Sequence, residues 1–220
     1  MNLGDMTTEV DNVVDESGFS TADIVGYINQ AVQYAGSLVD IPDLKKLITA
    51  TTVTDQPYCS LSATTGGFAG RILRASNPNI AIYPNLNLLM DEYVTYTYQD
   101  LTQAGDVEAI ALEGNTLWYQ YVPVVAADIV LLAYQNPATL ALAADIPSAF
   151  PAQLHRQLFV HGAAYMMFDQ IEDGLEGDKV NTNAHFMQSF SEQNRHSGIT
   201  KLREWLGRNR NHWKSSTWTC

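Results

Sequence analysis

The apolar positions of this chain change their period twice. Ile24, Ile28, Ala31, Val32, Ala35 and Leu38 recur mostly at spacings of three and four, which places them on one side of an α-helix. Ser20 ahead of them is a good N-cap, and Asp23 puts negative charge in the first turn. The helix is expected to stop at Asp40, just before Ile41-Pro42, because proline disfavours helix in the residue before it. A shorter acidic helix is predicted over residues 7–16, ended by Ser17-Gly18.

From Leu47 to Tyr134 the chain turns rich in Thr, Val, Ile and Tyr, and is broken repeatedly by Gly, Pro and Asn. Strands are predicted over residues 47–54, 58–62, 71–75, 80–83, 116–122 and 128–134. Leu117, Tyr119 and Tyr121 alternate with Trp118, Gln120 and Val122, and Glu113-Gly114-Asn115 is the turn leading in. Residues 85–112 show neither period clearly, and a short helix fits 86–93.

Helix returns after Pro151, whose missing N–H costs nothing in a first turn. Residues 154–171 are apolar on nearly every side, which marks a central, buried helix. It ends in Glu172-Asp173-Gly174. A last helix is predicted to start near Asn181 or Asn183, carrying Phe186, Met187 and Phe190, then Ile199, Leu202 and Leu206. The fold class that follows is α+β. A helical bundle is built from both ends of the chain, residues 1–45 and 148–206, with a β-rich module, 46–147, inserted between them and a C-terminal arm, 207–220.

Charge sharpens this outline. The chain carries −12 overall, which disfavours broad nucleic-acid binding. Residues 1–44 hold eight acids and no Lys or Arg, whereas Arg195, Lys201, Arg203, Arg208, Arg210 and Lys214 face a single acid, Glu204. Such polarity suits a protein that docks in one orientation; the alternative is a solvated helix face with a charged tail. Two distant cysteines, Cys59 and Cys220, make neither a disulfide framework nor a zinc site. The N-terminal sequence lacks the pattern of a secretion signal. The best membrane candidate, residues 122–134, is short and interrupted by Asp128. A reducing, soluble compartment is expected.

Catalytic chemistry finds little support. None of His155, His161, His185, His196 and His212 has the i, i+4 partner and glutamate of a helical zinc site. His161, amid apolar neighbours, reads as a satisfied core histidine. Asp169, Glu172, Asp173, Glu176 and Asp178 lack the alternating ligands of a calcium loop and read as a solvated turn. Residues 65–70 are glycine-rich without a following Lys-Ser/Thr, so they read as a loop rather than a phosphate cradle. No GxSxG motif is present. The expectation is a non-enzymatic chain with no catalytic residue, cofactor or metal.

An ordered set of segments carries a resemblance. It runs from Ser20-Thr21-Ala22-Asp23-Ile24 and Ile28-Asn29-Gln30-Ala31 through Asn79-Ile80-Ala81-Ile82-Tyr83-Pro84 and Glu113-Gly114. Tyr121-Val122-Pro123, Leu132-Ala133-Tyr134, Asn136-Pro137 and Leu140 follow, then Ile146-Pro147, Phe150-Pro151, Leu154-His155, Leu158 and Ala163-Ala164. Over residues 20–206 the chain resembles the head-to-tail adaptor, or connector, proteins of tailed bacteriophages. The resemblance implies a virion protein made in the host cytoplasm and assembled as a ring, typically dodecameric, beneath the portal protein. It implies that the helical part lines a channel through which DNA passes without sequence-specific binding. The β module would face outward or toward distal tail, stopper or nozzle proteins, and no membrane is involved. In this family a C-terminal arm commonly meets the portal, and residues 207–220 stand in that place. Arg208, Arg210, Trp213, Lys214 and Trp218 are of residue types suited to docking, Trp and Arg being enriched at binding hot spots. The segment has too few apolar side chains to fold alone, so it is expected to be mobile until it docks. Other readings are a stopper or tail terminator, a small hydrolase, or a carbohydrate-binding module using Trp118, Tyr119 and Tyr121.

Overall fold

The computed structural model describes residues 1–15, 18–61, 68–93, 103–172 and 179–212. In chain order its helices and strands are α1 (Leu3–Val14), α2 (Thr21–Leu38), β1 (Lys45–Thr51), β2 (Tyr58–Ser60), β3 (Phe68–Ala75), β4 (Ala81–Tyr83), α3 (Leu86–Tyr93), β5 (Ala109–Glu113), β6 (Thr116–Tyr119), β7 (Asp128–Gln135), α4 (His161–Ile171), α5 (Val180–Ser189) and α6 (Gly198–His212). The chain is therefore mixed α and β. It divides into two compact units, one of Met1–Ile41 with Pro137–Cys220 and the other of Pro42–Asn136.

The first unit is helical. Helix α1 starts four residues before the pattern predicts, because the Asn2 side chain accepts a hydrogen bond from the Asp5 N–H at 2.8 Å and caps it there. It buries Leu3, Met6, Val10 and Val14, and closes on Asp15 in the left-handed region, φ 46°. Ser20 and Asp23 form a reciprocal capping box at the start of α2. Five of the six predicted apolar residues of α2 are buried, Leu38 being half-buried, and the helix ends at Leu38 with Val39 extended.

The expected uniform helix over 154–171 is instead three consecutive pieces. A 3-10 turn over Ala152–Leu154, with Pro151 as its N-cap, leads into a π-helical turn, Arg156–Val160, and then α4. The start of α6 packs tightly on the π turn: a Cβ on Gly198 would stand 2.9 Å from Leu158 Cδ2 and 3.2 Å from the backbone carbon of Gln157. Leu158, Phe159, Val160, Ala163, Ala164 and Met167 are buried, so this stretch is central as expected, with Tyr165 and Met166 half-buried. Gly162 makes a second close approach, where an added methyl would fall 2.7 Å from Phe190 Cζ and 3.1 Å from Ala31 Cβ.

The predicted last helix is two helices. Between α5 and α6, Asn194 Nδ2 donates to the Met187 carbonyl at 2.6 Å and its Oδ1 accepts from the His196 N–H, a local bonding that breaks the helical ladder. Ser197 Oγ then accepts from the Thr200 N–H at 3.2 Å and starts α6. That helix runs to His212, six residues past Leu206, the last residue before the expected arm.

The second unit has two sheets and α3. The first sheet has strand order β1-β7-β3, all antiparallel, and the second β2-β6-β5-β4, in which β4 and β5 are parallel. Strand β5 occupies residues for which the sequence predicts no strand, and β6 stops at Tyr119 rather than 122. Gly114, at φ 59°, makes the tight turn between them. Ile48, Ala50, Ile129, Leu131 and Ala133 of the first sheet share a core with Cys59, Ile110, Leu117 and Tyr119 of the second and with Leu61 just beyond β2. On the second sheet's other side, Ala109, Ala111 and Trp118 pack against Leu86 and Leu89 of α3. The order of layers is first sheet, second sheet, helix.

Candidate functional site

The C-terminal segment is the site the sequence singles out. Ile199, Leu202 and Leu206, spaced three and four apart, are buried and hold α6 to the helical unit. Lys201 Nζ donates to Gln157 Oε1 at 3.0 Å, and Gln157 Nε2 to the His196 carbonyl at 3.2 Å, tying the start of α6 to the π turn. On the exposed side Arg203 pairs with Glu192 at 2.7 Å, and this bonding holds the Glu192 carboxyl below its ordinary range. The backbone of Arg208 and Arg210 belongs to the last turns of α6, the end of a helix that favours cations. Trp213, Lys214 and Trp218 lie outside the described residues. The structure thus gives the segment a helical stem that the sequence pattern does not predict.

The helical unit also contains polar groups that sequence spacing does not bring together. His161 on α4 and His185 on α5 meet with their Nδ1 atoms 3.0 Å apart and their rings stacked. Phe168 also stacks on His185, at 5.3 Å between centroids. One imidazole donates to the other through these Nδ1 atoms, and burial of both rings disfavours the charged form of the pair. Burial first, then the neighbouring His185 and Arg156, push His161 down to about 4, while Glu9 acts in the opposite direction. Burial lowers His185 as well. His161 is thus a satisfied histidine, though half-buried rather than fully enclosed.

Glu172, expected in a solvated turn, is buried. Its carboxylate accepts from the N–H groups of Asn181 and Thr182 and from Thr182 Oγ1 at 2.6 Å, capping the first turn of α5 from across the interhelical connection. Its pKa is lowered, chiefly by the Thr182 hydroxyl. Asp169 pairs with Lys179 at 2.9 Å. Asp173, Glu176 and Asp178 lie outside the described residues. His155, also buried, accepts or donates at three points: the Met1 amine, the Met1 carbonyl and the Phe150 carbonyl, all within 3.2 Å. Its role is to seat the start of the chain against the π turn.

Among the described residues no group of three His, Cys, Asp or Glu side chains is placed to hold a metal ion. Burial raises the Cys59 thiol, which makes it a poor nucleophile. Tyr119 is fully buried, Trp118 lies under α3 and Tyr121 is half-buried, so these three rings do not make an exposed aromatic platform. The second unit also presents clusters of charged and aromatic side chains. One of them has no counterpart in the sequence pattern: Lys45 and Arg71 lie over the Tyr134 ring from the two flanking strands, at 5.5 and 4.7 Å from its centroid. Alternation along β7 is the available signal, but it does not give the flanking register.

Among the described residues no helix is long and apolar enough to cross a membrane. No curated protein matches the sequence. A family model described as SU10 adaptor protein matches residues 1–212, through both units and to the last residue of α6. The chain belongs to this family, and is a structural adaptor of the bacteriophage particle that works with head and tail components.

Proposed function

We propose that this SU10 adaptor family member forms a ring, dodecameric as the resemblance implies, that docks under the portal protein and joins it to the distal tail, stopper or nozzle proteins. The observation that carries the reading is the family match over residues 1–212. DNA passes through the ring without sequence-specific contacts, in keeping with the acidic composition. The polarity of charge along the chain fits one-way docking, and contacts between unlike surfaces close into rings when the rotation permits.

The C-terminal segment is the portal-binding part of this reading. Arg208 and Arg210 belong to the last turns of α6, and Trp213, Lys214 and Trp218 follow them in the chain. Together they are a set of cations and aromatics that can meet an acidic surface and fill apolar pockets. Truncation after His212 removes Trp213, Lys214 and Trp218 and retains all of Gly198–His212. The truncated chain should keep its circular dichroism and thermal unfolding, and should fail to join DNA-filled heads that the full chain joins. Equal joining by both would refute the role of the segment. Imaging of particle necks that shows the full chain absent, or as a single copy, would refute the ring.

A further inference from the structure

The unit of residues 42–136 has four cations, Lys45, Lys46, Arg71 and Arg74, against nine acids. All four cations stand on β1 and β3, the strands that flank β7 in the first sheet. Of the acids only Asp128 belongs to that sheet, at its end, where Thr51 Oγ1 donates to it at 2.7 Å. Register places Lys45 opposite Tyr134, Leu47 opposite Leu132, and Thr49 opposite Val130, while Arg74 pairs with Leu132 from the other side. These residues share the side of the sheet that faces away from the core. A solvated antiparallel face ordinarily alternates to polar residues. Here Leu47 is 67% exposed, Val130 and Leu132 are half-buried, Lys45 precedes Leu47 on the same side, and Arg74 stands beside Leu132.

The far side of the same three-layer stack has the complementary composition. Helix α3 turns Leu89 inward, and its Leu88, Asp91 and Glu92, three and four residues apart, share the outer side. Leu88 is 46% exposed. One end of the stack is thus leucine among cations, and the other is leucine flanked by carboxylates. Two unlike, mutually complementary surfaces on opposite sides of one unit are what a head-to-tail contact requires.

We infer that the outer side of the first sheet in one copy docks on α3 of the next, Leu47 against Leu88, with Lys45, Arg71 and Arg74 facing Asp91 and Glu92. This inference rests on the ring proposed above and names one contact within it. Nucleic acid is the less suited occupant, since phosphates gain nothing from the aliphatic centre of the face. An eight-residue helix is about 12 Å long, so the contact is smaller than the roughly 800 Å² per partner of a stable interface. It sets the register and spacing of neighbours while the rest of the ring supplies affinity.

The experiment uses infected cells and purified particles. A face-reversed chain (Lys45→Glu, Arg71→Glu, Arg74→Glu) should enter particles roughly tenfold less than the wild type, or lower still, because like charges then oppose one another. A helix-reversed chain (Asp91→Lys, Glu92→Lys) should do the same. The chain carrying both sets should recover, and so should the two variants supplied together. Independently of those charges, a chain with Leu47→Cys and Leu88→Cys should cross-link in particles into a ladder of multimers, which neither single substitution gives. Wild-type chain missing from necks would defeat the ring itself. Wild-type rings with undiminished incorporation of the reversed chains and no ladder would defeat this contact alone. Normal incorporation of the face-reversed chain with loss of packaged DNA would also overturn it, by assigning the cations to nucleic acid.

Discussion

At Gly162 a methyl group has nowhere to go. Phe190 is almost fully buried and packs edge-on against Tyr34 at 4.8 Å, and Ala31 is on the rigid backbone of α2, so neither neighbour can retreat. Gly162→Ala should therefore cost about 1–3 kcal/mol in urea unfolding, the usual range for overpacking, and adding Phe190→Leu should recover part of it. The histidine pair gives a pH signature. His161 titrates near 6.5 when unfolded and near 4 in the fold, so between those values the unfolded chain binds more protons. Stability should be full above pH 6.5 and fall as pH drops toward about 4. A His161→Gln variant should show a flatter unfolding midpoint across that window, and an unchanged slope would assign the acid sensitivity elsewhere. At this scale the sequence is informative about burial and poor about partners. His161 reads correctly as satisfied, but its partner lies 24 residues away, and no spacing rule points to it.

Among the elements, α2 is the most legible, because its cap, apolar stripe and terminator all lie within the contiguous stretch of residues 20–42. The central stretch is legible as buried but not in its winding. Wide turns carry no sequence period of their own, and this one lies against a contact made by Gly198, far along the chain. Strand β5 escapes the pattern because Ala109, Ala111 and Glu113 have low strand propensity. Pairing with β4 and β6 fixes it instead. The break between α5 and α6 is signalled by Asn194 and Ser197, whose side chains compete for backbone partners. Ser197 is fully buried, so Ser197→Ala should lower stability by about 1 kcal/mol and speed amide exchange over residues 198–206. Unchanged exchange there would mean that the buried apolar face alone fixes the start of α6.

For the whole molecule, the uneven charge is visible in the sequence, whereas the surfaces it forms depend on register. Lys45, Arg71 and Arg74 become neighbours only because β7 lies between β1 and β3. Docking that relies on such charges is screened by salt, with a Debye length of about 10 Å at 0.1 M and about 3 Å at 1 M. Joining of the full chain to heads should therefore weaken across that range. A joining yield indifferent to salt would leave aromatic burial as the main source of affinity. The division of the chain also has a consequence in time. Residues 42–136 are contiguous, but the helical unit needs both Met1–Ile41 and Pro137–Cys220. A ribosome adding about 5–20 residues per second spends several seconds on the intervening stretch, with the apolar stripes of α1 and α2 waiting for α4. Protease pulses on nascent chains should find residues 42–136 protected before 1–41, so the segment made first is the one that matures last.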